Sequence, residues 1–190
     1  MKKFLLLIFV ALLVIIGCGP IAINTNNYRF LTQNNKEKIC TGQNYGEDCK
    51  LVEVDGQSMK QLLAKSKTYN LISIWYPSCT KSLNYINNIL TKYGDTDFKI
   101  WLISSQFYID DILKAKDKYG YNEPVYIMHH KYGNNASNVE RKFIYDLCHV
   151  KIKSNSLYKN APDYYVFYGD SLITIGYEQS FKLLDSLNRK

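Results

Sequence analysis

Tyr69-Asn70-Leu71-Ile72-Ser73-Ile74-Trp75-Tyr76-Pro77-Ser78-Cys79 is the stretch on which the reading of this chain turns. Its first half is a short apolar run, the pattern of a strand buried on both faces. Its second half carries Pro77 and leads into a helical pattern. A strand that runs straight into a helix through a Trp-x-Pro-x-Cys turn has the form of an active-site junction. Beyond it, Leu83, Ile86, Leu90 and Tyr93 recur at helical spacing, and Gly94 follows as a stop.

Patterned elements continue on both sides. Residues 51–54 predict a short strand, Asp55-Gly56 a turn, and Ser58 the N-cap of a helix through Leu62 and Leu63. A second apolar strand spans 98–103. Ile109, Ile112 and Leu113 mark an amphipathic helix ending near Gly120, and 124–128 is a third apolar strand. Ser137 is placed to cap a helix whose apolar face holds Val139, Phe143, Leu147 and Cys148. After a polar stretch over 151–160, strands over 164–167 and 172–175 meet at Gly169-Asp170, a hairpin signal. Phe181, Leu184 and Leu187 give a last amphipathic helix. Strand and helix alternate four times and then close as strand, strand, helix. That order predicts an α/β fold with a central mixed sheet flanked by helices.

The N-terminal part differs in character. Lys2 and Lys3 precede an apolar run of 13 residues, Phe4 to Ile16, too short for a membrane span of about 20 residues and suited to a signal-peptide core. Ile15-Ile16-Gly17-Cys18 resembles the lipobox of bacterial lipoproteins, in which the chain is cut before the cysteine and the cysteine carries lipid. The expected organisation is therefore a signal peptide over 1–17, a lipid-anchored tether over 18–50 and a folded domain over 51–190. The expected location is the cell envelope, with the protein anchored to a membrane through Cys18 and facing outside the cytoplasm. The chain carries 24 basic and 17 acidic side chains. No block of like charge resembles a nucleic-acid arm, so no nucleic-acid partner is expected. Cys40 and Cys49 flank a Gly- and Asn-containing loop and are placed to staple it in an oxidising compartment.

Three segments together carry a family resemblance. Asp55-Gly56-Gln57 followed by Leu62 resembles the opening turn and first helix of thioredoxin-fold proteins of the membrane-tethered TlpA/ResA-like thiol-disulfide oxidoreductases. The stretch from Asn70 to Cys79 resembles their Asn-Phe-Trp-Ala-Thr-Trp-Cys-Pro-Pro-Cys. Ala161-Pro162-Asp163-Tyr164-Tyr165-Val166-Phe167 resembles their cis-proline loop and the strand after it. The resemblance implies a thioredoxin-like domain and a peptide groove flanked by Trp75, Tyr76, Pro77 and a cis Pro162. Tyr76 stands where the family keeps its nucleophilic cysteine, and a phenol with an ordinary pKa near 10 does not attack a disulfide.

Cys79 matches the second cysteine of the family pair. It has three readings: an inert buried thiol, a disulfide partner of Cys148, or a single reactive thiol tuned by His149. Trp75 has a plainer reading as a core residue, and Tyr76 as filler beside the groove. His129 and His130 end a predicted strand, where adjacent side chains point to opposite faces, so capping or solvated histidines are expected and no metal site. The 17 tyrosines suit both strand cores and binding surfaces. The functional expectation is a cofactor-free accessory module that binds a protein or peptide client without dithiol catalysis. The alternative is a thiol-disulfide oxidoreductase that uses Cys79 with Cys148 or a partner thiol.

Overall fold

The computed structural model describes residues 26–41, 48–151 and 163–188. Its strands are β1 (Cys40–Thr41), β2 (Leu51–Val54), β3 (Tyr69–Trp75), β4 (Lys99–Ser104), β5 (Val125–Met128), β6 (Tyr164–Tyr168) and β7 (Ser171–Ile175). Its helices are α1 (Gln33–Glu37), α2 (Gly56–Ala64), α3 (Thr80–Tyr93), α4 (Ile109–Lys118), α5 (Ala136–Cys148) and α6 (Tyr177–Leu187). The strands form one mixed sheet in the order β1-β2-β5-β4-β3-β6-β7. Pairing is parallel from β1 through β3 and antiparallel at β3/β6 and β6/β7. From β2 onward the alternation and the closing hairpin follow the sequence pattern, with Gly169 in the turn at a φ of 56° that a side chain would disfavour.

The sheet is covered on both faces, as parallel strands require. On one side α2 and α5 bury Met59, Leu63, Val139, Phe143 and Leu147 against Ile72, Ile74 and Ile103. On the other, α3, α4 and α6 bury Ile86, Ile112 and Leu184 against Leu71, Trp75 and Leu102. β3 therefore alternates between two cores, which explains its unbroken apolar run. Its one inward amide, Asn70, is satisfied: Oδ1 accepts from Trp101 Nε1 at 2.8 Å and Nδ2 donates to Thr68 O at 3.0 Å.

Two helix starts lie elsewhere than expected. Asp55, not Ser58, caps α2, since its Oδ1 accepts from the Ser58 N–H at 2.8 Å. Asn135, not Ser137, caps α5 by accepting from the Asn138 N–H at 3.0 Å. In both places an acid or amide three residues ahead of the donor supplies the better cap. Gly56 begins α2 instead of ending a turn. A Cβ there would lie 2.5 Å from Leu147 N, so glycine sets the close approach of α2 to α5.

The segment expected as tether contributes to the folded unit where it is described. Asn26 is fully buried and bonds Asn134 O through its N–H, while its carbonyl accepts from Phe107 N at 2.7 Å. Tyr28 packs edge-on against Phe107, and β1 adds a parallel strand beside β2. Cys40 and Cys49 form the expected disulfide, with Cα atoms 6.3 Å apart. The polar composition of 18–50 hid these anchors because a few buried side chains are enough to pin a short segment. The signal peptide, Cys18, and Pro162 with its cis reading lie outside the described residues. No described helix is long and apolar enough to cross a membrane.

Candidate functional site

In open α/β sheets, ligands gather beyond the carboxyl ends of the parallel strands. At that edge this chain collects Asp55 after β2, Tyr76 after β3, Ser105 after β4 and His129-His130 after β5. Asp163 joins them because β6 runs antiparallel and begins there; its carbonyl accepts from Ile74 N at 2.7 Å. Two polar clusters result.

The first surrounds the Trp75-Tyr76-Pro77-Ser78-Cys79 junction. Residues 76–79 form a turn closed by the Cys79 N–H to Tyr76 O at 3.0 Å, and the Tyr76 N–H donates to Ser82 Oγ at 3.0 Å. α3 starts at Thr80, so Cys79 occupies its N-cap and Tyr76 precedes the helix instead of opening it. The Tyr76 phenol turns inward to Glu140 of α5, to which Ser105 Oγ also donates at 2.7 Å. Burial pushes the phenol well above its usual value, and the Glu140 and Asp163 charges add to this. Glu140 is itself raised to about 7, chiefly by burial, with the Ser105 and Tyr76 hydrogen bonds pulling the other way. Asp163 is raised to about 6 by burial. Burial thus holds the protons of Glu140 and Asp163 to higher pH than is usual for a carboxyl.

Of the expected groove residues, Trp75, Tyr76 and Pro77 are described, and Tyr76 is half-buried. Trp75 is 1% exposed and belongs to the core, as its plainer reading had it, and Pro77 is buried. Cys79 is buried. Cys148 is a free thiol, so the Cys79–Cys148 disulfide is not formed. The Cys148 thiol donates to Ile144 O at 3.3 Å, the bond of a helix-bound cysteine, and burial raises its pKa. His149 caps α5 in a left-handed conformation and packs its ring on Tyr145.

The second cluster was missed. Glu53 of β2 is almost wholly buried, and its Oε1 accepts from the His130 N–H at 2.8 Å and lies 2.6 Å from His130 Nδ1. His129 Nδ1 stands 3.8 Å from the same oxygen. The rule of opposite faces does not hold for the two histidines, because β5 ends at Met128 and His129 caps a short 3-10 turn. Both rings then lie over Glu53, with centroids 4.6 Å apart. The capping expectation itself is met: His129 Nδ1 accepts from the Lys131 N–H at 3.0 Å. Burial lowers the His129 pKa, opposed by the Glu53 charge. The Lys131 ammonium binds Asp55; burial would raise that carboxyl, but Lys131 and Ser58 together hold it at about 2.

Sequence signals for both clusters existed. Glu53 interrupts the apolar run Leu51-Val52-Glu53-Val54, and Glu140 sits one residue past Val139 and three before Phe143 on an otherwise apolar helical stripe. No family model, curated protein or solved structure matches the chain.

Proposed function

We propose that this chain is a thioredoxin-like accessory module, anchored outside the cytoplasm through lipid on Cys18, that binds a protein or peptide client without dithiol chemistry. The four alternating strand–helix units, the closing hairpin and the Trp-x-Pro-x-Cys junction at the end of an interior strand support the thioredoxin-like reading. The Cys40–Cys49 disulfide is compatible with an oxidising compartment. One observation carries the functional reading. The position that the resemblance reserves for an attacking thiol holds a phenol turned into the protein and bonded to Glu140. Exposed aromatic side chains suit the client role: Tyr85 and Tyr177 stand edge to face, 40% and 56% exposed, beside Phe181.

Reduction of a small disulfide-bonded protein substrate by dithiothreitol, followed as turbidity, tests this reading. The mature protein should not accelerate it above background. Acceleration that is lost in Cys79→Ser or Cys148→Ser would establish the oxidoreductase alternative instead.

A further inference from the structure

Going beyond the client-binding role, we infer that Glu53, His129 and His130 form a binding site for a divalent transition-metal ion of the zinc class. Each residue offers one ligand atom, and the three atoms lie within 4.8 Å of one another. Two imidazole nitrogens and a carboxylate oxygen are a donor set that zinc and its neighbours in the series accept. The set also includes an acid in an unusual placement. Glu53 projects from a strand whose other residues are all apolar, and its side chain is 3% exposed. The His130 N–H and ring already bond this carboxylate, and an ion would add a further partner to it.

The surroundings hold the ligands in place before any ion arrives. The His130 ring is sandwiched, with Tyr28 stacked on it at 3.9 Å and 2° and His129 at 4.6 Å. Tyr28 is in turn fixed by Phe107 and by its N–H bond to Asn26 Oδ1 at 3.2 Å. The Lys131 N–H now bonds His129 Nδ1, so an ion bound at that nitrogen would replace this bond, and the Lys131 ammonium is balanced by Asp55. Ligand atoms around tetrahedral zinc stand about 3.3 Å apart, given bonds of about 2.0–2.1 Å. The His130–Glu53 separation of 2.6 Å must therefore open slightly and the His129–Glu53 separation of 3.8 Å must close slightly. The histidine side chains are 31% and 37% exposed, which leaves a side open for a water or an exogenous ligand as fourth donor. The ion would thus sit at the carboxyl ends of β2 and β5, and the strap around Asn26–Tyr28 would be part of the site.

Calorimetric titration of the full mature chain in detergent with zinc, and with cobalt read by its visible absorption, tests this inference. The expected result is one ion per chain with an affinity of about micromolar or tighter. Glu53→Gln, His129→Gln and His130→Gln should each weaken it by about tenfold or more. His149→Gln, which removes the third histidine of the chain, should leave it unchanged. His129→Gln alters a partly exposed ring, so it keeps the test valid should Glu53→Gln fail to fold. Lack of saturable binding at about millimolar zinc would overturn the inference. So would binding that survives both His129→Gln and His130→Gln, or that disappears with His149→Gln.

Discussion

Replacing Glu140 with glutamine should make the protein more stable at pH 8 and leave it nearly unchanged at pH 4. Folding raises the Glu140 carboxyl from its ordinary 4.5 to about 7, because burial disfavours the charge more than Ser105 and Tyr76 stabilise it. Between these values the unfolded chain has released a proton that the folded chain still holds. Stability therefore falls as pH rises through this window and levels off above it. At about 1.4 kcal/mol per pH unit the total is about 3 kcal/mol. Glutamine stays neutral and keeps a carbonyl for the two donated hydrogen bonds, so the variant lacks this slope. The difference between variant and wild type should grow from near zero at pH 4 to about 3 kcal/mol at pH 8, or about 6–12 °C in Tm for a chain of this size. Urea and thermal melts across that range, followed by the fluorescence of the buried Trp75 and Trp101, give the measurement. If wild type and variant keep parallel pH profiles, Glu140 is ionised throughout and hydrogen bonding outweighs burial. The proton-holding description of the cluster would then be wrong.

Other substitutions probe separate features. Trp75→Ala should cost about 3–5 kcal/mol in a denaturant melt, because the ring is 1% exposed in the core; a cost under 1 kcal/mol would return Trp75 to a surface groove. Gly56→Ala places a Cβ 2.5 Å from the Leu147 backbone nitrogen and should cost about 1–3 kcal/mol, unless α5 can move aside. Removing the Cys40–Cys49 bridge by Cys40→Ser and Cys49→Ser should lower stability by about 2–4 kcal/mol, and an unchanged Tm would mean that β1 is held without it. Cys18→Ala should move the protein from the membrane fraction to the soluble one, and an unaltered fractionation would refute lipid anchoring.

Read alone, the sequence determined the elements from β2 onward and their order. Their signals are local: apolar runs of strand length, 3.6-residue spacing, and glycine where the chain must turn. It also marked Cys40 and Cys49 as a pair, since loop and spacing were both visible. Two helix caps lie two or three residues ahead of the expected ones, because Asp55 and Ser58, or Asn135 and Ser137, compete as caps and geometry chooses between them. Tertiary structure alone decided where the polar residues meet. Glu140 on α5 reaches Tyr76 and Ser105 across 64 and 35 positions of chain only because β3 and β4 are neighbours under that helix. Glu53 meets His129 and His130 only because β2 pairs with β5, a partner some 74 residues away (Leu51 with Val125). The tether-like composition of 26–41 likewise concealed Asn26 and Tyr28, whose burial depends on Phe107, Asn134 and His130. Local pattern reports what a segment prefers to be. Which side chains share a site is set by strand order and helix packing, and those arise from contacts that no local window contains.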